Sequence, residues 1–275
     1  MWTRLPLIAC LASCLAFGTA ASAFAQPMQL PGAAGSSPVG TPVAPPAASP
    51  GRPPAGFPGQ QRAPARAIAD DVVVGQALMH EGRNGRFVME KKGVGFGLKF
   101  SAEGYQTTNL LEPCGVSFGE QAVPLESLGR PAGLPRFKLQ SSVCPIVFDV
   151  LPNGLLVIEP RAPCVIEAAQ CRIEPWGLWS PDARGLVALA REIEKDRSRA
   201  DEQVREGFRA LGARLGPDEQ RSIAREQASF SSERQEICRD FAREEAHGFC
   251  AAKVTEARAA SLKARLQQTE AKPRR

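Results

Sequence analysis

The stretch FSSERQEICRDFAREEAHGFCAAKVTEARAASLKARL, residues 230–266, decides the fold of the second half of the chain. Cys238 and Cys250 sit inside strongly helix-forming sequence, and between them Gly248 offers the left-handed conformation that commonly stops a helix. The chain can therefore reverse between the two thiols, which predicts a helical hairpin stapled by Cys238–Cys250. Beyond Cys250, the side chains of Thr255, Arg258, Leu262 and Leu266 recur at steps of three and four and share one helical face.

Upstream, Ser180-Pro181-Asp182 opens a helix, with Ser180 able to cap and Pro181 suited to the first turn. The apolar positions Leu186, Leu189, Ile193, Ala200, Val204, Phe208, Leu211 and Leu215 predict a long amphipathic helix to about Leu215, on which excess apolar width would favour a partner helix. Gly216-Pro217 ends it and Asp218 begins the next. Residues 180–268 are thus expected to form an antiparallel helical bundle, with a basic tail over 269–275.

The C-terminal pattern resembles that of the LprI-type lysozyme inhibitor family, in which a cysteine is followed by threonine, arginine and leucine at these spacings. Phe230, Arg234 and Cys238, with Gln227 one turn earlier, match the family's upstream element, and Asp201, Val204 and Phe208 are similar to its acidic, aliphatic and aromatic helix. The likeness spans roughly residues 200–266. The chain departs from it where tryptophan is usual (Phe230), where aspartate is frequent (Gln235), and in having no cysteine-bearing N-terminal helix. What the resemblance implies is an exported protein that binds lysozyme or another cell-wall lytic enzyme, with Arg234, Thr255 and Arg258 as residues to watch. The alternative for the two arginines is pairing with carboxylates of the bundle.

The opposite end reads as an export leader over residues 1–25: Arg4, an apolar core from Leu5 to Phe17, and Ala23-Phe24-Ala25 before Gln26. A lipoprotein acylated at Cys14, after Leu11-Ala12-Ser13, is the rival. The mature form has no transmembrane span, and a periplasmic location is expected. Of eight cysteines, those beyond Cys10 and Cys14 form an even set that implies disulfides. The sequence-local pairing is Cys114–Cys144, Cys164–Cys171 and Cys238–Cys250. Zinc on Cys238, Cys250 and His247 would lack a fourth ligand, and no cofactor or metal is expected.

Residues 26–68 are dominated by Pro, Ala, Gly and Ser and cannot bury enough apolar surface to order, so a disordered linker is expected. Residues 69–179 alternate short apolar runs with turn signals: Val72 to Val74, Arg86 to Met89, Val94 to Phe100, Ile146 to Leu151 and Leu155 to Ile158. This predicts a small barrel or sandwich, hence an α+β chain. Pro152-Asn153-Gly154 predicts a tight strand turn, and Asn84-Gly85 an earlier one. Trp176 and Trp179 straddle a glycine at the β–helix junction, either as an exposed binding platform or as a plug docking the two halves.

Catalytic patterns are sparse. The two histidines, His80 and His247, belong to no Ser-His-Asp or Cys-His order. Glu192, Glu194, Asp196, Glu244 and Glu245 lie among arginines and read as a solvated helix face. The formal charge of +5 is too interspersed for a nucleic-acid stripe, although the basic tail could touch an anionic wall polymer or lipid surface. The reading is a non-enzymatic binding protein. Its alternative is an envelope scaffold that binds a partner helix or wall polymer.

Overall fold

The computed structural model describes residues 67–271. The leader with Cys14, the linker up to residue 66 and tail residues 272–275 lie outside the described residues.

Ten antiparallel strands follow in order: β1 (Ala77–His80), β2 (Asn84–Lys92), β3 (Gly95–Gln106), β4 (Pro113–Ser127), β5 (Arg136–Leu139), β6 (Ile146–Leu151), β7 (Gly154–Glu159), β8 (Cys164–Ile166), β9 (Cys171–Ile173) and β10 (Gly177–Ser180). The spatial order is β2-β1-β10-β7-β6-β5-β4-β3-β9-β8, and β2 also pairs with β3. That last pairing closes eight strands into a barrel and leaves β8–β9 as an extra ribbon. Closure removes the open edges that would otherwise template association. The long strand β3 makes this possible, because Gly95 to Ser101 pair with β2 and Gly104 to Gln106 pair with β9.

Period-two alternation sorts the side chains between two cores. Phe148, Val150, Leu155, Val157, Phe87, Phe100 and Trp179 fill the barrel. Leu151, Leu156 and Leu178 face outward and meet Leu186, Ile193, Phe230, Ile237, Phe241 and Phe249 of the helical half. Asp149 also points outward and is only 4% exposed; Arg136 grips its carboxylate through two bonds of 2.7 and 2.8 Å. The β6–β7 turn carries Asn153 at φ 58°.

Several sequence expectations change. Val72 to Val74 form a turn with a single bridge from Val74 to Met89, and Val73 is driven into the barrel core. The β1–β2 turn falls at Glu81 and Gly82, both at positive φ, so Asn84 and Gly85 open β2. Strand β4, 15 residues long, was not foreseen because its glycines, Pro124 and interleaved polar residues break the apolar rhythm.

The disulfides are Cys114–Cys171, Cys144–Cys164 and Cys238–Cys250. The third has the expected pairing; the first two correct the expected Cys114–Cys144 and Cys164–Cys171. Register explains why. Cys164 lies opposite Ile173 and Cys171 opposite Ile166, a diagonal of about 7–8 Å that exceeds the roughly 4 Å between Cβ atoms of a disulfide. Each ribbon cysteine instead reaches the barrel, Cys164 to Cys144, two residues ahead of β6, and Cys171 to Cys114 in β4. Gly104 permits the second reach, since a Cβ there would lie 2.0 Å from the Arg172 carbonyl oxygen.

The helical half comprises α1 (Ala183–Leu186), α2 (Ala190–Gly212), α3 (Pro217–Cys238), α4 (Glu244–His247) and α5 (Phe249–Ala271). The expected continuous helix from 182 to 215 is broken by a 3-10 turn at Val187–Leu189, just after Gly185 and at a β-branched residue, both poor helix formers. Asp182 caps α1 by accepting the Arg184 amide at 2.9 Å, while Ser180, expected as the cap, stays in β10 and bonds the Pro181 carbonyl. Pro217 opens α3, where the Glu219 carboxylate accepts the Gly216 amide at 3.3 Å. Val204, Leu211, Ile223, Ala259 and Leu262 form a third core at the distal end of the helices. Among the described residues no helix is long and apolar enough to cross a membrane.

Candidate functional site

The residues that carry the resemblance meet where α3 passes α5. Thr255 is fully buried; its hydroxyl donates to the Ala251 carbonyl at 2.7 Å and accepts from Arg234 Nη1 at 3.1 Å. Arg234 also faces Asp201 at 3.7 Å. Arg258 donates to Gln227 at 3.3 Å and pairs with Glu226 at 3.5 Å. The two guanidiniums lie 5.5 and 6.0 Å from the centre of the Phe230 ring. Arg265 reaches the same Glu226 at 2.6 Å. These contacts run across helices and match the carboxylate-pairing alternative for Arg234 and Arg258, although Arg258 Nη2 is buried without a hydrogen-bond partner.

Trp179 is not a platform: it is fully buried in the barrel, donating to the Pro175 carbonyl at 2.9 Å. Trp176 is half-buried at the junction, packed on the second core beneath the Arg161 guanidinium, which in turn pairs with Glu233 of α3 at 2.9 Å. Of the pair, only Trp176 ties the two halves together.

Both histidines are held by backbone. His80 Nε2 lies 2.9 Å from the Trp176 carbonyl oxygen. His247 Nδ1 accepts the Phe249 amide at 3.1 Å, so Nε2 donates to the Ala242 carbonyl at 3.0 Å. With Cys238 and Cys250 bonded to each other, neither thiol is left for zinc.

Glu244 departs from the solvated-face expectation. Burial pushes its carboxyl above the ordinary range, against the bonds it accepts from the Ala251 and Cys250 amides. At 2.8 and 3.0 Å these cap the start of α5. The signal in the sequence was a glutamate placed one turn ahead of a helix-stopping glycine.

One open apolar feature lies on the barrel. The β3–β4 connection presents Leu110 at 59% and Leu111 at 89% exposure. This tip is braced: the Asn109 side chain accepts the Leu111 amide at 3.1 Å, the Asn109 carbonyl the Glu112 amide at 3.0 Å, and the Gln170 carbonyl the Thr107 amide at 2.9 Å. Cys114–Cys171 clamps its base. On the adjoining outer face Tyr105 stands between Pro113 and Arg172, and Val165 lies opposite Arg172. Tyr105 and Val165 are both exposed, as are the carboxylates of Glu103, Glu112 and Glu167 on the same strands and turns.

No protein-family model, curated protein or solved structure matches the chain. The tip was missed in the sequence because two leucines between polar residues read as ordinary loop. Its one signal was an apolar pair followed directly by Glu-Pro-Cys.

A cavity of about 380 Å³ beside this face is lined by Arg83, Ser101, Glu103 and Ser117. It opens where β3 has left β2 and not yet met β9, and its two charges are of opposite sign.

Proposed function

We propose that the chain is an exported, non-enzymatic binding protein that blocks a lytic cell-wall enzyme, as its resemblance to LprI-type inhibitors implies. The observation that carries this reading is the braced tip, with Leu110 and Leu111 exposed on a disulfide-clamped connection and the Glu112 carboxylate next to them. A preorganised apolar knob loses little entropy on docking, and burying a leucine side chain contributes about 1.5–3 kcal/mol. The neighbouring carboxylates suit a cationic enzyme and disfavour an anionic lipid surface. In this reading the enzyme's substrate cleft is filled by the tip, and the stapled helical hairpin of α3 and α5, in an antiparallel bundle with α2, supports the barrel without touching the target. A leader over residues 1–25 delivers the chain to the periplasm and the Pro-rich segment after it acts as the tether, ending before Ile68, which packs on the second core.

The test is turnover of cell-wall substrate by lysozymes of several types, titrated with oxidised mature protein and with Leu110→Asp/Leu111→Asp. Stoichiometric inhibition by the parent and its loss in a variant of unchanged thermal midpoint support the reading. Absence of inhibition of every type by a folded parent refutes it.

A further inference from the structure

A second surface lies on the helical half. A groove of about 470 Å³ runs between the β6–β7 turn, the α1–α2 junction and the start of α5. Its floor is Leu186, Ile193 and Phe249, all buried. Leu189 continues this apolar lining toward solvent, at 47% exposure. The rest of the stripe expected on residues 182 to 215 is largely consumed, since Ile193, Ala200, Val204 and Leu211 are buried within the fold. The groove is what this stripe leaves uncovered.

Its polar rim is acidic. Glu192 and Asp196 stand one helical turn apart on α2, and Asp182 closes the end beside Pro181. Bonds from the Arg184 amide and guanidinium hold the Asp182 carboxyl below the ordinary range, so it stays charged. Asp196 shares its charge with Arg199 at 3.2 Å, whereas Glu192 has no ion-pair partner among the described residues. One cation lines the groove, Lys253. It is 6% exposed, with its ammonium 2.8 Å from Glu256 and 5.6 Å from the centre of the Phe249 ring. Asp182 is likewise paired, with the Arg184 guanidinium at 3.1 Å, so the groove offers apolar depth beside one unpaired carboxylate, Glu192, and two carboxylates shared with exposed arginines.

We propose that this groove docks a cationic amphipathic segment of a protein partner, its leucine-like side chains entering over Leu186 and Phe249 and its lysine or arginine heads meeting Glu192 and Asp196. An anionic or purely apolar occupant would leave these carboxylates desolvated without compensation. A compact small molecule would fill the cavity over Leu186 and Phe249 but would not reach along α2 to both Glu192 and Asp196. A helix laid in the groove spans that length. The inference goes beyond the inhibitor reading and does not depend on it.

The experiment measures binding of a labelled synthetic peptide of about 18 residues, leucine and lysine in helical repeat, to the full oxidised mature chain by fluorescence anisotropy. A counterpart with glutamate in place of lysine is run beside it. The lysine peptide is expected to bind in the micromolar range, at least tenfold more weakly to Glu192→Lys/Asp196→Lys and to Leu189→Asp, and the glutamate peptide not to bind. These positions are at the surface, so circular dichroism and the thermal midpoint should stay at parent values. A photo-crosslinker at Leu189 should capture the lysine peptide. Equal binding of the two peptides, undiminished binding to the variants, or cross-links that join only the chain to itself or to a second copy would each overturn the proposal. Lytic-enzyme inhibition is read separately with the Leu110→Asp/Leu111→Asp variant, so failure of either reading leaves the other measurable.

Discussion

Removing the Cys114–Cys171 bridge should destabilise the protein more than removing either of the others, and loop closure gives the size of the difference. The bridges span sequence separations of 57, 20 and 12 residues for Cys114–Cys171, Cys144–Cys164 and Cys238–Cys250. The chain-entropy relation then gives losses of about 4.2, 3.3 and 2.8 kcal/mol at 25 °C. Had Cys164 and Cys171 paired locally, theirs would be the smallest closed loop of all. The assay is equilibrium urea unfolding of the three paired Cys→Ala variants, with the m-value monitored for changes in the denatured state. Only the first variant should also release the tip from its ribbon and weaken whatever the tip binds. Equal or inverted losses at constant m would refute the entropic ranking, and a Cys114–Cys144 peptide in a non-reducing digest would refute the pairing itself.

Four further outcomes follow from particular contacts. Gly104→Ala should cost about 3 kcal/mol or more by the same unfolding assay, because its Cβ has no room before the Arg172 carbonyl. Arg136→Leu should cost about 3 kcal/mol, since it strands the buried Asp149 carboxylate; a cost under 1 kcal/mol would show that water replaces the guanidinium. For Glu244, whose folded-state pKa is raised by burial, the folded chain binds the proton more tightly than the unfolded one. Its contribution is fully present below the ordinary glutamate pKa and lost as pH rises through the folded value. The stability difference between parent and Glu244→Gln, measured across the acid-to-neutral range, should therefore fall with rising pH, and a rise would refute the burial argument. Arg258→Met should change stability by less than about 1 kcal/mol, because one guanidinium nitrogen is buried without a hydrogen-bond partner and Glu226 keeps Arg265; thermal unfolding checks it.

The helices and the strongest strand pair were legible because their signals are local. Cys238 and Cys250 flank a glycine that takes φ 64°, and Asn153-Gly154 turns two apolar runs whose alternate residues fill the barrel. What was not legible is set by long-range register. Barrel closure depends on which residues of β3 face β2 and which face β9, and no window of sequence contains that choice. The same holds for the disulfides, since Cys171 reaches Cys114 only because two strands converge over Gly104. Trp179 illustrates a third kind of miss: alternation places it inward and Leu178 outward, but a two-tryptophan motif drew attention to chemistry instead of to period.

The division between consumed and open residues bears directly on function. Arg234 is engaged by Thr255 and Asp201, and Arg258 by Gln227 and Glu226 with its remaining nitrogen buried, so a partner would have to break these contacts to use them. Leu110 and Leu111 spend nothing in the fold. A net charge of +5 opposes long-range attraction to a basic enzyme, but that field is screened beyond about 10 Å at 0.1 M salt, whereas a docked tip brings Glu112 and its neighbours into contact. Association should then be slow for lack of steering, and affinity should rest on a slow off-rate set by apolar burial. Raising ionic strength should leave the on-rate for a cationic target unchanged or higher, the opposite of a sterically similar but globally acidic inhibitor. This salt response separates local complementarity at the tip from attraction by the whole chain.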